Sequence, residues 1–347
     1  MKNVSIIGID LAKSVFQVHG VNAKGEKTLK RKLKRNDVID LFKDLPPCLV
    51  GMEACGTAHH WARELTALGH TVKLLPPLYV KPYVKRGKTD EADAEAICEA
   101  VQRPGITAVP VKSVDQQSVL MLHRTRELLV SQRTQSINAM RSHMAELGLI
   151  APVGPQGAAT LAAIVKDADD RRLPPVAREA LATLVDTVES VSQQIAKLDR
   201  VILKAHRANE TSRRIASIPG VGPVTASAII ATVGNCENFR SARGFAAWLG
   251  LTPKLHGTGG KTRLGSITKQ GDHYLRKLLV VGATSVVSLA GRKAGDHPWL
   301  ASLLARAPFG KVKVALANKN ARIIWALLKR GGTFENGHKP AAFAAAT

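Results

Sequence analysis

The sequence predicts an α/β domain over residues 1–110, a long helical arm over 111–210 and a mainly helical domain over 211–330. Three observations carry this. Short apolar runs alternate with amphipathic stretches through the first third of the chain. Residues 113–149 contain no Pro, and no Gly before Gly148, over a helical pattern. A Pro-Gly-Val-Gly turn at 219–222 then stands between two further helical stretches.

In order, residues 4–9 form an apolar run that reads as a buried strand closing at Asp10. Residues 15–21 and 27–32 read as two more strands, joined through Asn22-Ala23-Lys24-Gly25. A helix is predicted at 37–45, a strand at 48–52 closing at Glu53, a helix at 58–68, a strand at 71–75 and a helix at 89–101. Three hairpin-like strands followed by helix–strand alternation give a mixed α/β sheet. This is the order expected of a ribonuclease-H-like or junction-resolvase-like fold, whose first strand carries a metal ligand.

Four carboxylates stand at informative places in that layout. Asp10 and Glu53 close two strands, where a side chain is exposed but held rigidly by its neighbours. Asp90 and Asp93 lie three apart at a helix start, so they share one helix face. Singly, each also reads as a loop cap or a helix N-terminal charge. Jointly they can converge, and converging carboxylates repel one another without cations. The pattern therefore points to divalent metal, a Mg²⁺ pair suited to phosphoryl transfer.

Composition narrows the partners. The 347 residues are 45% hydrophobic, and no apolar stretch is expected to approach a membrane span. No signal peptide is evident, so a cytosolic protein without a membrane partner is expected. Cys48, Cys55, Cys98 and Cys236 fall at irregular spacings that form neither a zinc pattern nor a disulfide framework. Fifty Lys and Arg against 27 Asp and Glu give a net charge of +23, which matches a folded chain to a polyanion. Aromatics are only 4%, so phosphate contacts and nucleic-acid shape should dominate over base stacking.

The arm predicts two long helices, 113–149 and 176–209, joined by a softer linker at 151–175 that holds Pro152, Pro155, Pro174 and Pro175. Ile137, Met140, Met144 and Leu147 repeat at coiled-coil spacing. An antiparallel arm of this kind suits dimerisation or gripping a duplex, and it equally suits a spacer packed on itself. Residues 217–226 match a helix-hairpin-helix element, whose glycines and helix-opening N–H groups bind phosphate without reading sequence. A glycine-rich basic loop follows at 254–265, then helices at 274–289 and 312–329 and a flexible tail over 331–347. Expected nucleic-acid contacts are Arg124, Arg126, Arg133 and Arg141 on the arm, Gly220 and Gly222 in the turn, and Lys261, Arg263, Lys269 and Arg276 beyond it.

Several stretches together resemble the DEDD transposases of bacterial insertion sequences, the group described as bridge-RNA-guided serine recombinases. They are Ile7-Gly8-Ile9-Asp10-Leu11-Ala12-Lys13, Met52-Glu53-Ala54-Cys55-Gly56, Lys88-Thr89-Asp90-Glu91-Ala92-Asp93-Ala94 and His123-Arg124-Thr125-Arg126-Glu127-Leu128-Leu129. Ile218-Pro219-Gly220-Val221-Gly222, Ile267-Thr268-Lys269-Gln270-Gly271-Asp272 and Asn318-Lys319-Asn320-Ala321-Arg322 continue the match in order. The resemblance implies a DEDD metal site of Asp10, Glu53, Asp90 and Asp93 and a nucleophilic serine in the C-terminal domain. It further implies a homo-oligomer, dimer or tetramer, and a structured guide RNA that pairs with donor and target DNA. Strand exchange would then proceed through a covalent phosphoserine.

One departure matters. The serine of the family falls at Gly257 in the run His256-Gly257-Thr258-Gly259, and glycine carries no nucleophile. Either Thr258 takes the role or the chain is silent for cleavage; Ser266 is a more distant hydroxyl. Two other functions stay open on sequence: a resolvase-like metal-dependent nuclease, and an RNA- and DNA-binding protein without chemistry.

Overall fold

A computed structural model of the protein describes residues 3–84, 89–258, 261–292 and 297–335. Lys88 of the acidic motif, Gly259 and Gly260 of the basic loop and the tail from residue 336 lie outside the described residues, as does the side chain of Thr258. The chain divides into two compact units, Met1–Val114 and Asp115–Thr347.

The first unit runs β1 (Ile6–Leu11), β2 (Val15–Val21), β3 (Lys27–Lys34), α1 (Val38–Lys43), β4 (Leu49–Glu53), α2 (Ala58–Ala67), β5 (Thr71–Leu75), α3 (Pro77–Val80) and α4 (Asp90–Ala100). Its sheet has the order β3-β2-β1-β4-β5, with β1 antiparallel to β2 and parallel to β4. The β2–β3 turn forms because Asn22 Oδ1 accepts from the N–H groups of Lys24 and Glu26, while Gly25 takes the left-handed backbone at φ 82°. Strand alternation sorts the residues into two faces. Ile7, Ile9, Val50 and Met52 pack with α1 and α2 around Phe42, Trp61 and Leu65. Ile6 and Leu49 point the other way, towards the Ile97 and Val101 side of α4.

The second unit begins with α5 (Val114–Ala145), α6 (Pro155–Lys166), α7 (Pro175–Ala208) and α8 (Glu210–Ile215). It continues through α9 (Pro223–Val233), α10 (Ala242–Trp248), β6 (Pro253–Thr258), β7 (Lys261–Ile267), α11 (His273–Arg292), α12 (Pro298–Leu304) and α13 (Phe309–Arg330). Helices α5 and α7 are antiparallel. Met140 and Met144 meet Leu181 and Val185 at one end, and Arg126 pairs with Asp199 further along. The 151–175 linker is corrected: it contains α6, whose Leu161 and Val165 join the same apolar cluster. Its prolines punctuate the chain rather than soften it, because Pro155 sits in the first helical turn, where a missing N–H costs nothing. At this end the arm packs on itself.

The 254–265 loop is likewise corrected, since β6 and β7 pair as an antiparallel hairpin. Helix α12 was not anticipated. Nor was the reach of α11: His273–Arg292 is long and apolar enough to cross a membrane by length and composition. Here its Leu275, Leu279, Ala283 and Val287 form one stripe that belongs to the core shared with α9 and α13. The four cysteines are free, and burial pushes the Cys48 and Cys98 thiols up to about 11 and Cys236 to about 12.

One polar network crosses this core. His123, fully buried on α5, bonds through Nδ1 to the Tyr274 hydroxyl at 3.1 Å and through Nε2 to Ser227 Oγ at 3.2 Å. Burial, with the nearby charges of Arg126 and Arg124, pushes its pKa down to about 4. The unfolded chain, with an ordinary histidine value near 6.5, binds this proton first as pH falls. Stability is therefore intact above about pH 6.5 and lost on acidification towards pH 4, by about 2 kcal/mol at about pH 5. Urea unfolding at neutral pH and near pH 5 should reveal that loss. His123→Gln should lower stability at neutral pH yet flatten the acid slope; an unchanged slope would remove His123 from this role.

Candidate metal centre and nucleic-acid surfaces

The acidic site is assembled by backbone proximity. In β1, Ile6, Gly8 and Asp10 share the face covered by α4, and in β4 Leu49, Gly51 and Glu53 do the same. Gly8 pairs with Gly51 across the parallel strands, leaving a channel without side chains. Helix α4 lies in it: a Cβ at Gly8 would stand 2.2 Å from the Ala94 carbonyl oxygen and 2.4 Å from the Cys98 nitrogen. Only glycine permits that approach, and the approach brings the first turn of α4 up to the end of β1. Thr89 caps the turn, its hydroxyl accepting from the Ala92 N–H at 3.2 Å.

The outcome is a group of three. Ligand oxygens of Asp10, Asp90 and Asp93 all lie within 4.8 Å of one another. Oxygens opposed across an octahedral Mg²⁺ stand about 4.2 Å apart at the usual bond length of about 2.0–2.1 Å, so this all-oxygen donor set lies within a small side-chain movement of holding one hard divalent ion. Glu53 is outside the group of three. It closes the neighbouring strand, one residue beyond the Ile9–Met52 pair, beside Asp10. Cys55 senses both: burial raises its pKa first, then the charges of Glu53 and of Asp10. Glu91, in the same helical turn, pairs instead with Lys30 of β3. Asp90 and Asp93, three apart, lie on the helix face that meets the strand end, as their spacing predicts.

Gly8→Ala tests this construction. The added methyl meets backbone, which cannot rotate aside, so α4 must retreat at a cost of about 1–3 kcal/mol. Thermal unfolding should register the loss, and Mn²⁺ affinity should fall with it. A variant as stable and as avid as the parent would mean that α4 is not held by this contact.

The expected nucleic-acid residues divide by what they touch. Arg141 donates to the carbonyls of Ala151, Pro152 and Gly154, Arg126 pairs with Asp199, and the buried Arg276 donates to the carbonyls of Leu249 and Gln270 at 2.9 Å each. In this structure these three guanidinium groups are engaged within the fold. Arg124 is largely exposed and Arg133 partly so. Gly220 takes φ 85° and presses its carbonyl against Gly282 of α11, where a Cβ would meet it at 1.9 Å. Its role is the turn itself, while Gly222, at the N-cap of α9, is exposed with open space around it. Lys269 is exposed at φ 57°, its N–H bonded to the Gly250 carbonyl.

In the hairpin Gly257 lies opposite Thr262, Leu255 opposite Leu264, and His256 opposite Arg263. Opposed residues share a face and neighbours alternate, so Arg263 and Lys261 lie on the face away from Gly257. Arg263 and Lys261 on the one hand and Gly257 on the other thus lie on opposite faces of the two-stranded ribbon.

Known proteins match this arrangement along its length. Residues 7–148 match the DEDD-type IS110 transposase family model, and residues 212–297 match the model described as "Transposase IS116/IS110/IS902 family". A probable family 20 transposase of Pseudomonas aeruginosa is 50% identical over 338 residues, covering 96% of this chain and all of that protein. The transposase for insertion sequence element IS1328 of Yersinia enterocolitica is 38% identical over 336 residues, 96% of this chain and 99% of the relative. The transposase for insertion sequence element IS1111A of Coxiella burnetii is 37% identical over 338 residues, 97% of this chain and 93% of the relative. The chain belongs to the IS110 family of insertion-sequence transposases.

Proposed function

We propose that this transposase is an RNA-guided recombinase whose Asp10, Asp90 and Asp93 hold divalent magnesium, with Glu53 alongside. The carboxylate group, three ligand oxygens within 4.8 Å, is the observation that carries the reading. The sheet order β3-β2-β1-β4-β5, with the acids at the ends of β1 and β4, supports a ribonuclease-H- or resolvase-like unit. Magnesium there would neutralise charge on a phosphodiester in transit. The chain's own part is to fix the carboxylates: β1 and β4 hold two strand ends, and α4 offers two more acids from one turn. Phosphate positioning falls to Arg124, Arg133, Gly222 and the Lys261–Arg263 face of the hairpin. The turn before α9 would serve as the helix-hairpin-helix element.

Guidance by a structured RNA, pairing with donor and target DNA in a homo-oligomer, comes from the family resemblance. So does the hydroxyl nucleophile at position 257, where this chain has glycine. That glycine favours a second reading, a transposase that binds its RNA and DNA but does not open a strand. Sequencing the RNA that copurifies with the full chain tests guidance directly. One discrete structured species is expected; a random sample of cellular RNA would defeat the proposal.

A further inference from the structure

We propose that Trp299, with Lys319 and Arg322, forms a stacking site for an unpaired nucleotide, its base on the indole and its phosphate on the two cations. The inference rests on nucleic acid being the partner, and it adds a site for single strands apart from the acidic centre and the hairpin.

The surrounding stretch of chain is strongly basic. From His297 to Arg330 there are many Lys and Arg and not one Asp or Glu. On α13, Lys311, Ala315, Lys319 and Arg322 follow one another at spacings of four, four and three, which lines them along one side of the helix. Lys311 and Arg322 are exposed, and the alanine leaves the stripe shallow. Neither Lys319 nor Arg322 makes an ion pair among the described residues. Burial, and then the charge of Arg322, lowers the Lys319 pKa.

The aromatic partner is placed for the other half of a nucleotide. Trp299 of α12 is 41% exposed, whereas Trp61 is buried and Trp248 and Trp325 lie against the core of the second unit. Lys319 Nζ sits 4.2 Å from the Trp299 ring centroid, within cation–π range. The contact fixes the ring beside the stripe while leaving it partly in solvent. A cation and an indole so joined suit a ligand with both a π face and a negative charge. A duplex keeps its bases stacked on one another, so only an unpaired base can use the ring.

Binding of the full chain to labelled oligo-U, oligo-dT and a duplex of the same length, about 12 nucleotides, tests this by fluorescence anisotropy. Trp299→Ala should weaken both single strands about tenfold and leave the duplex nearly unchanged, while Trp299→Phe recovers most of the loss. Lys319→Gln with Arg322→Gln should lower the salt slope for single strands by about one to two. Preference for oligo-U over oligo-dT would assign the site to RNA, and equal affinity to any single strand. Unchanged single-strand binding by Trp299→Ala, equal losses for duplex and single strand, or equally good competition by polyglutamate would overturn the site. Failure of the parent chain to bind any of the three at low salt would instead defeat the nucleic-acid reading as a whole.

Discussion

On the reading in which position 257 is the site of the nucleophile, Gly257→Ser is expected to give this transposase a covalent DNA-cleaving step. The hairpin has room for the change. A Cβ at Gly257 would meet Thr262 Cγ2 at 3.5 Å and the Lys261 carbonyl oxygen at 3.7 Å, ordinary contact distances, and the residue's backbone lies outside the left-handed region. The hydroxyl would supply what glycine cannot: an oxygen that bonds to phosphorus as the bond from phosphorus to the leaving sugar oxygen breaks. In-line attack needs that oxygen within about 3–3.5 Å of phosphorus. Trapping of protein–DNA adducts in denaturing gels, with copurified RNA and Mg²⁺, should give product with Gly257→Ser and none with the parent. An adduct formed by the parent and abolished by Thr258→Val would assign the nucleophile to Thr258 instead.

In the Gly257→Ser background, Asp10→Asn should then reduce adduct formation by about three orders of magnitude or more, the scale of several kcal/mol of transition-state charge stabilisation. The opposite sign is expected for stability without metal. Three carboxylates within 4.8 Å repel one another, so neutralising one leaves the metal-free fold as stable or more so. Melting temperatures with and without Mg²⁺ separate the two effects: the variant should lose the metal-dependent rise and keep the metal-free value. Adduct formation within about tenfold of the Gly257→Ser parent would place the chemistry elsewhere.

Much of the acidic centre was legible in the sequence, because apolar runs ending in Asp10 and Glu53 mark strand ends and the Thr89-capped turn marks a helix start. What joins them was not. The Gly8–Gly51 channel depends on a pairing between strands far apart in sequence, and no local pattern announces it. Glu53 was expected to stand with the other three, yet its strand end leaves it outside the group of Asp10, Asp90 and Asp93. In the second unit, glycine and proline suggest softness on sequence alone. The hairpin at 253–267 and the helix at 155–166 show both residue types used for shape: glycines spaced along paired strands, and a proline opening a helix. The arginines differ in a way that sequence does not report. Charge alone does not distinguish Arg124, which faces solvent, from Arg141 and Arg276, whose guanidinium groups tie backbone carbonyls.

Diffraction from crystals of the full chain soaked in Mn²⁺ tests the central claim most directly, because Mn²⁺ replaces Mg²⁺ among oxygen ligands and has an anomalous signal. The account predicts an anomalous peak between Asp10, Asp90 and Asp93, with carboxylate oxygens at about 2.0–2.2 Å and no peak after Asp10→Asn. Crystals that bind Mn²⁺ elsewhere, while these three carboxylates stay apart from any ion at saturating concentration, would contradict it.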